Sequence, residues 1–239
     1  MYWKLLDYRY VFYGGMLEDF VAGCQGLTLD AGCGRKGGSL SFATSVGVDL
    51  GRQNVKSSKL RRPQTSFIIA DITHLPFRKA IFDLVVSVDV LEHVEGKEAA
   101  IKEISRVSKL GAFFVGSTSN LLNPVFIFDS FGPKRVVSFL AERYAKGHYE
   151  RHFRFTSATL GRTLQKAGFA TNVIHLLGFP PFTPWIFQND PSLKPPWFAR
   201  LWIIVDKLMT KVKPLSQMKE AIVFRAVRSP SSPRQLSRS

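Results

Sequence analysis

Three glycines and a carboxylate follow the first apolar run of the chain. The segment LTLDAGCGRKGG, residues 27–38, spells G-x-G-x-x-G at Gly32, Gly34 and Gly37. Glycine adopts positive φ angles and lets the backbone approach a nucleotide closely. Taken alone, this pattern fits a dinucleotide-binding loop and also an ordinary glycine-rich turn. It therefore indicates a nucleotide-like ligand without selecting the cofactor.

Further carboxylates follow the next apolar runs. Asp49 ends the run VGVD, and Asp71 follows the third run in ADITHLPF, residues 70–77. A carboxylate in the position of Asp49 can accept hydrogen bonds from both hydroxyls of a ribose. NAD sites and S-adenosyl-L-methionine (SAM) sites share that feature. The fourth run, FDLVVSVDVLEHV, covers residues 82–94.

These four segments together resemble, in order and spacing, the class I SAM-dependent methyltransferases. The resemblance is to small-molecule enzymes related to those of quinone biosynthesis. It covers about residues 26–120 and is visible again over 152–169. Two departures concern the loop: Lys36 stands where the family often has a third glycine, and the stretch between Asp30 and Asp49 is about one helical turn shorter.

The resemblance implies SAM as cofactor and assigns roles to seven residues. The methionine end of SAM would lie at the glycine loop, the ribose at a carboxylate, and the adenine amino group at a second carboxylate. A backbone carbonyl would face the methionine moiety. The glycine-loop positions are Asp30, Gly32 and Gly34, and the ribose carboxylate is Asp49. The adenine carboxylate is Asp71, beside the Ile72 backbone, and the carbonyl is that of Val88.

Methyl transfer from a sulfonium is an in-line displacement, so the protein mainly aligns the acceptor with the methyl group. A hydroxyl acceptor benefits from a general base, for which His93 and His152 are the candidates. The sequence favours a structural explanation for each residue: a helix cap for His93 and a loop hydrogen bond for His152. Glu92, His93 and Glu95 do not have the spacing of a metal signature, so no metal site is predicted.

The charge leaves two other functions open. The chain has 239 residues and a formal net charge of +15, with five cations and no acid between Arg52 and Arg62. Such a surface attracts phosphate on nucleic acid, lipid or substrate, or is simply a solvated helix face. The fourth run lacks N-P-P-Y or D-P-P-Y, and neither cysteine follows a proline, but other RNA methylations remain alternatives. A non-catalytic SAM-fold subunit that binds a partner is the third hypothesis, which intact Asp49 and Asp71 disfavour.

Short apolar runs alternate with helical patterns, which predicts an α/β fold with a parallel sheet covered by helices. The resemblance specifies a Rossmann-like fold, with seven mostly parallel strands, the last antiparallel, and helices on both faces. Helices are predicted from Lys97 to Val107 and from Thr156 or Ser157 to Ala167. The predicted strands are Leu27–Asp30, Val46–Asp49, Phe67–Ala70, Phe82–Ser87, Ala112–Ser117, Thr171–Leu177 and Ala221–Ala226.

The chain is divided into an N-terminal helical segment, 1–25, the methyltransferase domain, 26–228, and a disordered basic tail, 229–239. Within the domain, residues 179–215 form an insertion rich in proline and aromatics. An amphipathic helix is predicted from Trp197 to Val212, with one apolar and one basic face. Such a helix packs on the domain, covers the acceptor or adsorbs to an anionic membrane.

The first residues, MYWKLLDYRY, do not read as a signal peptide, and no charge-free apolar stretch is long enough to span a bilayer. The expected location is the cytoplasm, with peripheral membrane contact. The expected partner is a small-molecule acceptor, with nucleic acid a weaker alternative. The sequence does not specify an oligomeric state.

Overall fold

A computed structural model describes residues 15–35, 45–123, 127, 153–177, 211–212, 217–218 and 221–230. The helices are α1 (Gly15–Val21), α2 (Arg52–Arg61), α3 (Lys97–Val107) and α4 (Ser157–Lys166), with a short 3-10 helix at Leu91–His93. The strands are β1 (Thr28–Ala31), β2 (Val46–Asp49), β3 (Ser66–Ile69), β4 (Phe82–Val88), β5 (Ser108–Ser119), β6 (Phe169–Leu177) and β7 (Ala221–Arg228).

The strands form one seven-stranded sheet in the order β3-β2-β1-β4-β5-β7-β6. The first five strands pair in parallel, whereas β7 runs antiparallel to both β5 and β6. This arrangement confirms the expected mostly parallel sheet with an antiparallel last strand. The strand order reverses between β1 and β4, and ligands of open α/β sheets bind at such a point, beyond the carboxyl ends of the strands.

Helices pack against both faces of the sheet, as expected. On one face, α3 buries Ala100, Ile101, Ile104 and Val107 in a core shared with β1, β4 and α4. The i, i+1, i+4, i+7 spacing of these residues forms one apolar side of the helix. On the other face, Leu17 and Val21 of α1 pack against strand residues that include Val86 and Val115.

Helix α4 begins and ends where its sequence signals lie. The Thr156 hydroxyl accepts the Thr159 N–H, and the Thr159 hydroxyl accepts the Thr156 N–H, which completes a capping box. Leu160 and Leu164 are fully buried. Gly168 adopts a φ of +85° directly after the helix, a conformation that terminates helices.

Strands β4, β5, β6 and β7 are all longer than their predicted ranges, and β5 and β6 also begin earlier. Strand β5 begins at Ser108 instead of Ala112, so the polar segment 108–111 lies within the strand. Ser108 pairs with Phe82 of β4, and at the other end Ser119 pairs with Ala221 of β7. Strand β6 begins at Phe169 because Phe169 pairs with Arg228. Pairing with neighbouring strands thus extends both strands beyond their apolar runs.

Several predictions lie outside the described residues: Gly37, His152, most of the helix predicted over 197–212 and almost all of the basic tail. The three-part division of the chain also stays a prediction. Among the residues that are described, no helix has both the length and the apolar character needed to cross a bilayer.

Candidate functional site

The glycine loop turns directly from the end of β1 onto β2. The N–H groups of Gly32 and Cys33 donate to the Val48 carbonyl at 2.8 and 2.9 Å. Gly32 has a φ of +93°, and a Cβ atom there would collide with the side chain of Val90. Gly34 has a φ of +60°, and a Cβ there would meet none of the described residues within 4 Å. The loop is therefore closely packed at Gly32 and open at Gly34, where a ligand can approach the backbone.

Asp49 holds this loop against the start of α2. One carboxylate oxygen, Oδ2, accepts the Gly34 N–H at 2.9 Å. The other, Oδ1, accepts the Gly51 N–H and the Asn54 side-chain amide, each at 2.8 Å. The Ser58 hydroxyl also donates to the Gly34 carbonyl at 2.6 Å. A carboxylate oxygen has room for two donors, so Oδ2 retains an acceptor position suited to a ribose hydroxyl.

Two buried groups lie beneath the loop. Asp30, at the end of β1, is 1% exposed, and Cys33 is also buried. Burial, together with the negative charges of Asp30 and Asp49, raises the pKa of the Cys33 thiol to about 12. The thiol stays protonated at neutral pH, which excludes it as a nucleophile because the thiolate is the reactive form. Sequence reasoning weighed the cysteines as nucleophiles that follow a proline, and the burial of Cys33 beside two acids was not predicted.

Asp71 lies on the loop that follows β3. Its side chain is exposed, and Oδ1 accepts the Thr73 N–H at 2.8 Å. The hydrogen bonds from Thr73 lower the pKa of the Asp71 carboxyl, with a smaller contribution from the charge of His74. Ile72 is buried in the core beside Leu75. The arrangement presents an ionised carboxylate and fixes the Ile72 backbone next to it, which suits an adenine amino group.

Strand β4 ends in a strained turn. Val88 is its last residue, and Asp89 adopts a φ of +54°, which is uncommon for a residue other than glycine. The Ser117 carbonyl and hydroxyl of β5 both accept the Asp89 N–H, at 3.2 and 3.1 Å. Left-handed backbone of this kind is concentrated at functional sites. Sequence reasoning missed this feature because the motif residues do not reveal a positive φ at an aspartate.

Glu92 is the most buried acid beside this turn, at 2% exposed. Its carboxylate accepts hydrogen bonds from the Thr118 hydroxyl at 3.1 Å and from the Ser119 N–H and hydroxyl at 3.1 and 2.8 Å. Burial, and secondly the charge of Asp89, raises the pKa of the Glu92 carboxyl. Sequence reasoning weighed Glu92 only as a metal ligand, whereas the structure places it in a polar cluster with the end of β5.

His93 is exposed at the end of the 3-10 helix, next to Glu92 in sequence. Its N–H donates to the Val90 carbonyl at 2.9 Å. His93 follows the end of β4 closely in the chain, so its backbone lies near the carboxyl edge of the sheet. Within the described part of the chain, no group of three or more His, Cys, Asp and Glu side chains is arranged to hold a metal ion.

The structure brings the predicted cofactor residues to one edge of the sheet. Asp30, Asp49, Asp71 and Val88 stand at or just after the carboxyl ends of β1, β2, β3 and β4, respectively. Two carboxylates that can accept hydrogen bonds, Asp49 and Asp71, therefore lie along one edge with the glycine loop, in the order expected for SAM. The assigned roles remain predictions, but the positions fit the cofactor.

Comparison with known proteins gives a consistent result. Residues 29–116 match a family model described as a methyltransferase domain. A ubiquinone biosynthesis O-methyltransferase of Psychrobacter arcticus is 29% identical over 67% of this chain and 66% of its own length. The mouse mitochondrial arginine-hydroxylase NDUFAF5 is 34% identical over 70% of this chain and 49% of its own length.

The fold is also similar to that of a solved methyltransferase structure. The crystal structure of a Streptomyces coelicolor geranyl diphosphate C-methyltransferase superposes with a TM-score of 0.60 at 17% identity, over 91% of this chain and 78% of that one. At this identity the superposition shows a shared fold only. The chain spans between 32% and 66% of the length of the first curated relatives that it matches.

Proposed function

The chain carries a class I SAM-dependent methyltransferase domain, and from that premise we propose that it transfers the methyl group of SAM to a small apolar acceptor of the lipid or quinone-precursor type. The observation that carries the proposal is the convergence of Asp49, Asp71 and the glycine loop at one sheet edge. A dehydrogenase would use the glycine loop and Asp49 but has no use for Asp71.

Each residue has a defined task in this proposal. Bound SAM would supply an activated methyl group on a sulfonium. Asp49 accepts a ribose hydroxyl through Oδ2 while its bond to Gly34 holds the loop against β2. Asp71 accepts the adenine amino group. Asp30 and Gly32 shape the loop for the methionine end, and Val88 offers its carbonyl there. His93, or His152, removes the proton when the acceptor is a hydroxyl.

The named activities of the relatives support the acceptor class and also limit it. The ubiquinone biosynthesis O-methyltransferase relative supports an oxygen acceptor of the quinone-precursor type. The arginine-hydroxylase relative has a similar sequence and a different named reaction. Sequence likeness alone therefore does not fix the chemistry, and the experiment must test cofactor and transfer separately.

The first step of the test measures cofactor binding. Thermal unfolding is followed with SAM, S-adenosylhomocysteine (SAH) and NADH. We expect SAM and SAH to raise the melting temperature and NADH to leave it unchanged, since a ligand stabilises only the folded state that it binds. Stabilisation by NADH without stabilisation by SAM would overturn the family-based function.

The second step identifies the acceptor class. The protein is incubated with methyl-labelled SAM and, separately, with lipid extract, quinone precursors and RNA, and mass spectrometry locates the label. Label in the lipid or quinone fraction supports the proposal. Label in RNA alone would assign the RNA methyltransferase alternative, and SAM binding without transfer to any fraction would favour the non-catalytic subunit.

Peripheral contact with an anionic membrane is part of the proposal. The exposed face of α2 carries Arg52, Lys56 and Lys59, and Leu60 beside them is 78% exposed. Cations next to exposed apolar side chains suit anionic headgroups above an acyl layer. An apolar acceptor dissolved in a membrane would be reached from such a surface.

A further inference from the structure

The loop that carries Asp71 is held by a side chain from the end of α3. Arg106 Nη1 donates to the Phe77 carbonyl at 2.8 Å, and Nη2 donates to the Leu75 carbonyl at 2.9 Å. These two carbonyls belong to the same loop, a few residues after Asp71. One guanidinium thus fixes the loop at two points of its backbone.

Glu103 completes the arrangement one helical turn earlier. Its carboxylate accepts Arg106 Nε at 2.7 Å and Nη2 at 2.8 Å. The same carboxylate accepts the Leu75 N–H at 2.9 Å. Leu75 therefore has its N–H bonded to Glu103 and its carbonyl bonded to Arg106. We call this pair and its loop contacts the Glu103–Arg106 clamp.

The geometry of the clamp differs from that of an incidental surface ion pair. Arg106 makes four hydrogen bonds, out of the five N–H donors of a guanidinium. Bidentate bonding to a carboxylate defines the orientation of both side chains. The hydrogen bonds with Glu103 and Arg106 also shift the two pKa values apart: the Glu103 carboxyl is lowered and the Arg106 guanidinium is raised. Both groups remain charged at neutral pH, so the clamp persists there.

We propose that Glu103 and Arg106 are positioning residues, which set the affinity and the adenine selectivity of the cofactor site by fixing the Asp71 loop. The inference rests on the proposed function, because it assumes that Asp71 and the Ile72 backbone receive the adenine. Both clamp residues lie on α3 and not at the strand ends that hold the predicted cofactor residues. They act through the loop backbone, in the way that supporting hydrogen bonds orient directly binding groups.

A positioning role is separable from a role in folding. The packing of α3 on the sheet is made by Ile101 and Ile104, which are fully buried. The Arg106 and Glu103 side chains lie at the rim, with 38% and 22% exposed. Loss of the clamp should therefore loosen the loop while the apolar core of α3 stays packed.

The test uses the full chain with Arg106→Gln and Glu103→Gln. Lys102→Gln is the control, because Lys102 is an exposed cation on the same helix and its removal changes the charge as Arg106→Gln does. Calorimetry measures the affinity for SAH and for S-inosylhomocysteine, in which a carbonyl oxygen replaces the adenine amino group. The ratio of the two affinities reports whether Asp71 is in place, which a change in overall stability would not alter.

We expect Arg106→Gln to weaken SAH binding about tenfold, the effect of losing well-formed hydrogen bonds to a charged group. The preference for SAH over S-inosylhomocysteine should fall with it, and Glu103→Gln should show the same trend. Circular dichroism melting confirms that each variant is folded, and the isosteric Glu103→Gln serves if Arg106→Gln does not fold.

Two negative results have different meanings. If the wild-type protein binds SAH with a strong preference and both clamp variants retain that affinity and preference, the positioning role is overturned while the proposed function stands. If the wild-type protein binds neither compound, the proposed function fails, and the clamp loses its assigned role with it.

Discussion

The backbone N–H of Gly34 donates a 2.9 Å hydrogen bond to the carboxylate of Asp49, which lies 15 residues later in the chain. This bond joins the loop after β1 to the end of β2. The carboxylate that is predicted to bind the ribose therefore also holds the loop that is predicted to bind the methionine end. A substitution at Asp49 or in the glycine loop is therefore expected to affect both the ribose contact and the methionine contact.

The first prediction concerns Asp49→Ala. Removing the carboxylate takes away the ribose acceptor and the bonds to Gly34, Gly51 and Asn54. We expect SAM binding to weaken by more than about 1.5 kcal/mol, which is more than roughly tenfold. Calorimetry with SAH measures the change. Equal affinities for wild type and variant would remove Asp49 from the site.

Two control variants separate the ribose contact from the organisation of the loop. Asn54→Ala removes one bond to Asp49 and leaves the carboxylate, so its effect on SAH affinity should be smaller. Asp83→Ala removes a carboxylate from the opposite end of the sheet, where it pairs with Lys109 at 2.8 Å. That variant should bind SAH like the wild type.

Helices α3 and α4 were well predicted because their signals are local, whereas α2 was not predicted as an element. The apolar spacing of α3, and Thr156 before α4, are contained within a few residues of sequence. The longer β5 was not predicted, since its polar start at Ser108 is a strand only through pairing with Phe82. The positions of Asp49 and Asp71 could be predicted from their places after strands, because parallel strands end at one edge.

The missed parts of the site depend on contacts between distant residues. Arg106 contacts Leu75, which is 31 positions away, and nothing in the helical pattern of α3 indicates that contact. Glu92 is buried against the end of β5, so its environment follows from the sheet and not from its own segment. The positive φ of Asp89 belongs to the same class of feature, since it follows from how the chain leaves β4 beside Ser117.

The second prediction concerns the packing of Gly32. Gly32→Ala combines an unfavourable φ of +93° with a collision against Val90. We expect the free energy of unfolding to fall by about 2–4 kcal/mol, the sum of a left-handed backbone penalty and overpacking. Urea unfolding measures the change. Gly23→Ala is the matched control, because Gly23 has a φ of +78° and open space around it. It should cost about 1 kcal/mol, and equal losses for the two variants would contradict the packing argument.

The third prediction concerns His93. If His93 is the general base, His93→Ala should lower methyl transfer to a hydroxyl acceptor by about 10²- to 10⁴-fold and leave SAH affinity unchanged. Glu95→Ala, which removes a neighbouring exposed ionisable group, should retain the wild-type rate. Transfer is measured with the acceptor identified by mass spectrometry. Full turnover in His93→Ala would make His93 structural and leave His152 as the remaining candidate.

The fourth prediction concerns pH and Glu103. The hydrogen bonds with Arg106 lower the pKa of this carboxyl from its ordinary value of 4.5. A group with a lowered folded-state pKa contributes stability above its unfolded-state pKa and loses that contribution as pH falls through the folded-state value. The stability difference between wild type and Glu103→Gln should thus be full at neutral pH and shrink below pH 4.5. Urea unfolding of both proteins down to about pH 3 measures it, and a difference that grows on acidification would contradict the ion pair.

The last prediction concerns membrane binding, for which the chain offers two basic surfaces. One is the exposed face of α2, with Lys56, Lys59 and the 78% exposed Leu60. The other is the helix predicted over 197–212, which carries Lys207 and Lys211 on its basic side. Each cation near an anionic bilayer contributes about 1 kcal/mol, and salt screens that contribution. We therefore expect co-sedimentation with anionic vesicles at low salt, weak binding at high salt, and little binding to neutral vesicles.

Charge-reversal pairs assign the surface. Lys56→Glu with Lys59→Glu tests α2, and Lys207→Glu with Lys211→Glu tests the predicted helix. Lys102→Glu with Lys166→Glu makes the same change of net charge at exposed positions on α3 and α4 and serves as the control. The pair that lowers binding well below the control marks the membrane-facing surface, because net charge alone would affect all three pairs equally. Equal losses in all three would indicate non-specific attraction of a cationic protein, and no binding of the wild type to anionic vesicles at low salt would reject the membrane role and favour an acceptor that reaches the site from solution.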